Sequence, residues 1–360
     1  CVRLADNRCG PGAGRRTEVR AARRATMLSS IKATPRAGAP TGSQLACAPQ
    51  RHRSLSPAAR SSSCPIRSGY TRMVSAPAEA KIDDVADTAL WIAAYRAKES
   101  ARKDALFRDP LAARLAGEKG AAIAERMTGA AQFAWMTAVR TVVVDELIEE
   151  AIARGVRTVV NLGAGLDTRP YRMTLPEALR WIEVDSPRIV ARKDELLSGE
   201  RPRCALSRIA ADLADESARR ELFARLGDAD DDVLVLTEGV LGYLTNDAVA
   251  ALADDLRARP AFKAWIIDYS ARFLNRAVRA RVGRRELKNA PLRFQPADSE
   301  RFFGAHGWRV VERRDLPIAG QRLGRPLPIP WWFLPVHSVL PRRAKEAIRR
   351  MMGYARLEPA

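Results

Sequence analysis

Beyond residue 157 the chain keeps to one alternation: a short apolar run, a turn, then a stretch with helical spacing. The runs are Thr158–Leu162, Trp181–Val184, Leu206–Ala210, Val233–Leu236, Ala264–Ile267 and Trp308–Val311. Helical spacing occupies 170–179, 187–197, 215–226, 246–258 and 297–306 between them. Strands alternating with helices predict a mainly parallel sheet covered on both faces, a doubly wound α/β architecture. Ahead of it, residues 83–153 show helical periodicity alone, which predicts an added N-terminal helical segment. There, Asp87 or Thr88 is placed to cap a helix carrying Leu90, Trp91, Ala94 and Tyr95 on one face. Asp109-Pro110 opens a second helix, and a third runs from about Gln132 to Ala153. Residues 274–296 are basic and loop-like, and the Pro-rich stretch 317–335 reads as irregular.

The first run leads directly into Asn161-Leu162-Gly163-Ala164-Gly165-Leu166-Asp167-Thr168-Arg169-Pro170. Glycines here let the backbone turn sharply and approach a ligand closely. Asp167 or Thr168 is placed to cap the next helix, with Pro170 in its first turn. Asp185 ends the second run, 20 residues after Gly165. An acid at that place can accept hydrogen bonds from a ribose diol, or it can cap the helix that begins at Pro187. For a dinucleotide the loop is poorly made. Thr168 stands at the usual third small position, and Asp167 would repel a pyrophosphate. An acid there suits a ligand bearing an ammonium and a sulfonium, which favours S-adenosyl-L-methionine over NAD.

Charge is concentrated at the front. The chain carries a formal net charge of +19, and residues 1–80 hold 14 Lys/Arg against 3 Asp/Glu. The remainder is only modestly basic, which argues against a nucleic-acid partner. Residues 27–76 contain no acid, seven basic residues and ten serines. That composition predicts a leader over residues 1–76 ending in an organellar transit peptide cleaved near Met73–Ala76, to a plastid such as the chloroplast rather than a mitochondrion. If the leader is an upstream artefact, the expectation becomes cytoplasmic. Four of the five cysteines (Cys1, Cys9, Cys47, Cys64) precede the body, leaving Cys204 alone there, and no pairing of ligand residues signals a metal.

Several motifs recur in fixed order: Val160–Arg169, Glu183-Val184-Asp185, Ala211-Asp212-Leu213 and Thr237-Glu238-Gly239-Val240-Leu241-Gly242-Tyr243-Leu244. Asp87–Trp91 and Ala105–Pro110 precede them. As an ordered set over residues 83–320 this resembles the leucine carboxyl methyltransferase superfamily, and within it the bacterial-type branch of S-adenosylmethionine-dependent methyltransferases that includes polyketide O-methyltransferases. The resemblance implies a Rossmann-like class I methyltransferase core (156–325), preceded by a helical cap (77–155) and followed by a tail (326–360). It implies that Gly163 and Gly165 line the cofactor, Asp185 holds its ribose, and Asp212 and the Leu213 N–H meet its adenine. Glu238 lies near the methionine moiety, and Arg140 matches a basic position that binds the methionine carboxylate. A solvated helix arginine is the competing reading of Arg140. Gly242 and Thr245 depart from the family pattern beside Tyr243, so the acceptor is less constrained than the cofactor.

Methyl transfer is an in-line displacement that needs alignment and exclusion of water. Tyr243 is the side chain placed to orient the acceptor. The body's two histidines, His306 and His337, read as cap or surface residues. With no base in evidence, the expected acceptor is a carboxylate or a readily ionised hydroxyl of a small molecule. Thr237-Glu238-Gly239-Val240 is not the Asn/Asp-Pro-Pro-Tyr/Phe motif of amino-group methylation of nucleic acid. Carboxyl methylation of a protein C-terminus and a cofactor-binding pseudo-enzyme are the alternatives. At the C-terminus, Arg342–Leu357 reads as a short basic helix with Ala344, Ile348, Met351, Met352 and Ala355 on one face. With Trp331 and Trp332 ahead of it, that helix suggests weak peripheral membrane contact.

Overall fold

A computed structural model describes residues 82, 84–227, 232–280, 290–329 and 338–360. The leader, Trp331, Trp332 and His337 lie outside the described residues. The described residues begin with three helices, α1 (Val85–Ser100), α2 (Ala112–Arg126) and α3 (Ala130–Ala153). Then come β1 (Thr158–Leu162), α4 (Arg169–Arg172), β2 (Arg180–Asp185), α5 (Pro187–Leu197), β3 (Ala205–Ala210) and α6 (Glu216–Gly227). β4 (Val233–Thr237), α7 (Asn246–Arg257), β5 (Phe262–Ser270) and α8 (Arg272–Val278) follow. The chain ends with α9 (Ser299–Ala305), β6 (Trp308–Asp315), α10 (Leu316–Arg322), α11 (Arg342–Arg349) and β7 (Met352–Pro359).

The seven strands form one sheet in the order β3-β2-β1-β4-β5-β7-β6. The first five are parallel, and β7 runs antiparallel between β5 and β6. Central strands buried on both faces read as near-continuous apolar runs, and β1 and β4 are buried along their whole length. Alternate residues feed opposite faces. Val160, Leu162, Val235 and Trp265 pack with Leu222 and Phe223 of α6 and Val249 and Leu252 of α7. Val159, Leu234 and Ile266 pack instead with Val143 and Leu147 of α3 and Ala319 of α10. A third cluster joins α1 and α2 through Leu90, Trp91, Tyr95, Leu115 and Ile123. Thus α3 belongs to the sheet, and only α1 and α2 form the added helical layer. This is the Rossmann-like sheet with flanking helices of the class I methyltransferases.

The structure corrects several expectations about boundaries. Asp84, not Asp87 or Thr88, caps α1, because its extended backbone lets Oδ1 accept from Asp87 N at 3.0 Å. Asp87 is buried and pairs with Lys119 Nζ of α2 at 2.8 Å. α2 starts after Asp109-Pro110, with Asp109 Oδ1 accepting from Leu111 N at 3.2 Å. The helix expected over 170–179 is the four-residue α4, which ends where Met173 turns to extended backbone. The irregular stretch expected over 317–335 begins as helix α10.

The largest correction is at the C-terminus. The basic helix stops at Arg349, and Met352 onward is β7, a strand inside the sheet rather than part of a tail. Of the five residues assigned to one helical face, Ala344 and Ile348 alone lie on α11. Ala355 and Leu357 are buried in the core, so the continuous apolar face proposed for a membrane surface is not formed. Among the described residues no helix is long and apolar enough to cross a membrane.

Candidate active site

A cavity of about 1200 Å³ opens at the carboxyl ends of the parallel strands, where open α/β sheets bind ligands. Its wall takes Gly163 and Gly165 from the loop after β1, Asp185 from the end of β2, and Asp212 from beyond β3. Glu238 comes from beyond β4 and Asp268 from the end of β5. Gly163 has φ of 65°, and a Cβ there would lie 2.3 Å from Val240 Cγ2, so only glycine fits. Gly165 N donates to Asp185 Oδ2 and Ser186 N to Asp185 Oδ1, both at 2.7 Å. Asp185 therefore fixes the loop and the start of α5 together. A carboxylate has about four lone-pair sites, so acceptor capacity remains for a ribose diol. Ser186, not Asp185, is the N-cap of α5, so the capping reading of Asp185 is not met.

Asp212 is exposed on the cavity wall, with Oδ1 accepting from Ala214 N at 2.9 Å. Leu213 is not in the wall. Its side chain packs against the core cluster that includes α6, and its carbonyl accepts from Arg219 Nη1 at 2.9 Å.

Beneath the loop lies a buried charge network. Arg140 of α3 is not a solvated helix arginine: its side chain is 14% exposed and Nε lies 3.1 Å from Glu238 Oε1. Glu238 Oε2 accepts from Arg169 Nη1 at 2.8 Å. Arg169 Nη1 also donates to Asp167 Oδ2 at 2.8 Å, and its Nε donates to Asp145 Oδ1 at 2.7 Å. Arg172 grips Asp145 with two hydrogen bonds of 2.6 and 2.8 Å. Burial pushes the Asp167 carboxyl up, but Arg169, Lys193 and Arg172 together more than offset this and hold it well below the usual carboxylate range. Burial is likewise outweighed at Glu238, by Arg169 and then Arg140, which keep it ionised. Asp167 is thus already matched by Arg169 and by Asn161 Nδ2 at 2.9 Å. Its charge serves this network rather than waiting for a ligand ammonium. Arg140 keeps guanidinium donors beyond Nε, which fits a ligand carboxylate.

Tyr243 stands in a single 3-10 turn, Leu241–Tyr243, and lines the cavity. Burial raises its phenol, while a hydrogen bond with the Thr88 side chain works the other way. The two departures beside it have local roles. Thr245 Oγ1 caps α7 by accepting from Ala248 N at 3.2 Å. The Gly242 carbonyl accepts from Arg293 N at 2.7 Å. His306 sits away from the cavity with Nδ1 2.7 Å from Asp254 Oδ1.

Two wall residues were not singled out from sequence. Asp268 accepts from Gly239 N at 3.0 Å, and Tyr354 of β7 stands opposite it in the strand register. Asp268 carried a usable signal, an acid ending an apolar run as Asp185 does. Tyr354 carried none, because its segment was read as helix. The far part of the wall is apolar, with Trp91, Ile92, Phe133, Leu292 and Phe294.

The leucine carboxyl methyltransferase family profile matches residues 89–257. A Streptomyces avermitilis protein provisionally named an S-adenosyl-L-methionine-dependent methyltransferase is 31% identical over 279 residues, 73% of this chain and 95% of that one. A Mycobacteroides abscessus protein of the same provisional name is 31% identical over 275 residues, 68% of this chain and 90% of that one. A third, from Streptomyces coelicolor, is 40% identical over 183 residues, and this chain spans only 62% of its length. Among solved structures, a DUF574 family protein from Streptomyces avermitilis superposes with a TM-score of 0.46 at 17% identity, covering 74% of this chain and 97% of that one. The chain belongs to the S-adenosyl-L-methionine-dependent methyltransferases related to leucine carboxyl methyltransferase, in the branch found in Streptomyces, Mycobacterium and Frankia.

Proposed function

We propose that this methyltransferase is an O-methyltransferase acting on a carboxylate or hydroxyl of a small, largely apolar molecule. The observation that carries the reading is the cavity. Its volume of about 1200 Å³ exceeds the roughly 300–1,000 Å³ that holds one drug-sized ligand. The surplus is apolar and continuous with the glycine loop, so there is room for a second molecule beside the cofactor.

S-adenosyl-L-methionine supplies a methyl group already activated by its sulfonium. The protein's own residues then bind, orient and exclude water. In this reading Gly163 and Gly165 lie against the cofactor, Asp185 accepts from its ribose hydroxyls, and Asp212 meets the adenine. Arg140 takes the methionine carboxylate bidentately, with Glu238 holding that guanidinium in place. Tyr243, braced by Thr88, orients the acceptor oxygen, and the apolar wall excludes water that would otherwise compete.

Calorimetry with S-adenosylhomocysteine tests the cofactor roles. Wild type should bind, and Asp185→Ala should weaken binding by about 1.5–3 kcal/mol, the scale for charged hydrogen bonds. Tight binding of NAD in its place would overturn the assignment. Labelled cofactor incubated with a metabolite extract, and separately with peptides ending in leucine, tests the acceptor. Label should enter the low-mass fraction. Transfer to the peptide carboxylate would favour protein C-terminal methylation, and bound cofactor with no transfer anywhere would mark a pseudo-enzyme.

A further inference from the structure

The geometry at the ends of β5 and β7 narrows the acceptor class. Asp268 and Tyr354 are directly opposed partners across the antiparallel β5–β7 pair. Side chains so opposed share one face of a sheet, with their backbones about 4.5–5.5 Å apart. Both line the cavity, on the face of the sheet that carries α3 and therefore Arg140. Asp268 Oδ1 accepts from Gly239 N at 3.0 Å. That amide belongs to the residue after Glu238, whose carboxylate pairs with Arg140. Gly239 adopts φ of 69°, and a Cβ on it would meet Arg140 Nη1 at 3.8 Å. The turn therefore seats Asp268 one residue from the pair assigned to the methionine moiety.

The electrostatic setting of Asp268 differs from that of its neighbours. Glu238 and Asp167 each have an arginine, whereas among the described residues no side-chain donor reaches Asp268. Arg140, Glu238 and Tyr354 are the charged or titratable groups closest in influence, and Arg140 already faces Glu238. A carboxylate acceptor would here meet a like charge, beside an arginine already engaged by Glu238. A hydroxyl acceptor would meet an oxygen ready to accept its proton.

We propose that Asp268 is the proton acceptor for a hydroxyl group on an apolar acceptor, a phenol or enol rather than a carboxylic acid, and that Tyr354 beside it holds the same oxygen. This rests on the O-methyltransferase reading above. The acceptor O–H proton moves to Asp268 Oδ2. The acceptor oxygen forms the new O–C bond as the methyl carbon's bond to sulfur breaks, and that electron pair stays on sulfur, leaving a neutral thioether. Asp268 returns its proton to water once product leaves. Burial pushes the Asp268 carboxyl above its ordinary range, and Glu238 pushes the same way against the Gly239 amide and Arg140. A carboxyl so raised is a stronger base than an ordinary aspartate.

The test uses the full chain saturated with S-adenosylhomocysteine and two probes of equal bulk, 2-naphthol and 2-naphthoate, with binding read by calorimetry. Wild type should prefer 2-naphthol by at least about 10-fold, the scale of one charged hydrogen bond gained against one like-charge contact. Asp268→Asn should weaken 2-naphthol by about 10-fold and strengthen 2-naphthoate, while S-adenosylhomocysteine affinity stays within about 2-fold. Equal or tighter binding of 2-naphthoate to wild type overturns the proposal with no variant needed. So does an Asp268→Asn protein that folds, binds S-adenosylhomocysteine and keeps the wild-type preference. Failure of wild type to bind 2-naphthol while it binds S-adenosylhomocysteine overturns this inference alone. Failure to bind S-adenosylhomocysteine overturns the cofactor reading beneath it.

Discussion

Arg169 is the hinge of the buried charge network, and Arg169→Met removes its charge while keeping most of its bulk. The side chain is 4% exposed and serves Asp145, Asp167 and Glu238 at 2.7, 2.8 and 2.8 Å. Summing charged hydrogen bonds at about 1.5–3 kcal/mol each would overshoot, because Arg172 still holds Asp145 and Arg140 still holds Glu238. Breaking a buried ion pair typically costs about 3–5 kcal/mol, and we expect a loss in that range at pH 7.5. The sign of its pH dependence follows from the carboxyls. In the wild type Asp167 and Glu238 have depressed folded values, since the cations around them, Arg169 foremost, together more than offset burial. Their stabilisation is present above the unfolded carboxylate range and is lost only as pH falls through the folded values. Without Arg169, burial dominates and lifts these carboxyls above their unfolded values. The destabilisation is then largest at neutral pH and is relieved as acid protonates them. Between pH 7.5 and 5 the gap between variant and wild type should narrow by about 1.4 kcal/mol for each unit by which a carboxyl is raised within that window. Urea unfolding followed by tryptophan fluorescence at the two pH values measures this. A gap of constant size would show that Arg169 acts through packing rather than charge, and the argument would fail. Arg169→Lys should recover only part of the loss, because a point charge cannot reach three carboxylates as the planar fork does.

Three further outcomes are expected. Gly163→Ala should cost about 1–3 kcal/mol of stability from its positive φ and the contact with Val240. Val240→Ala in the same chain should return the steric part, and thermal melts of the single and double variants would show it. Deleting residues 352–360 removes β7 from between β5 and β6 and should abolish cooperative unfolding in urea, whereas a detachable tail would leave the transition intact. We also propose that the leader addresses a plastid, so residues 1–76 fused to a fluorescent protein should bring it there, and diffuse cytosolic fluorescence would refute that.

The parallel half of the sheet was legible because burial on both faces leaves a plain mark. Thr158–Leu162 is apolar save for Thr158 and Asn161, is followed by a glycine turn, and becomes β1 without a shift of boundary. α5 is equally clear, since Pro187 starts it and its spacing sustains it. β7 was not legible. In Met351-Met352-Gly353-Tyr354-Ala355-Arg356-Leu357 the alternating buried residues Met351, Gly353, Ala355 and Leu357 are interrupted by Tyr354, buried between them, and one of the four is a glycine. Met351, Met352 and Ala355 also fall at helical steps from Ile348 in α11. The basic residues of α11 directly upstream completed the helical pattern. Only the two open edges of β5 and β6 decide for a strand, and those edges are brought to it from residues 262–270 and 308–315.

The site divides along the same physical line. Gly163, Gly165 and Asp185 announce themselves locally, because a strand must turn into a helix around a ligand within a few residues. Arg140 and Glu238 were found through ordered motifs, yet their pairing at 3.1 Å belongs to the packing of α3 on the sheet and has no local sign. The acceptor end is the extreme case. Asp268 faces Tyr354 from 86 positions away in the chain, through a strand whose existence the sequence concealed. Reading no base in the body followed from that concealment: histidines were weighed because their chemistry is intrinsic, whereas the basicity of an aspartate is set by what surrounds it. Gly239 N on one side, an apolar wall on another and an arginine already engaged by Glu238 give Asp268 its character. Gly239, Glu238 and Arg140 each lie more than 25 residues from it in the chain, so that character comes from the fold.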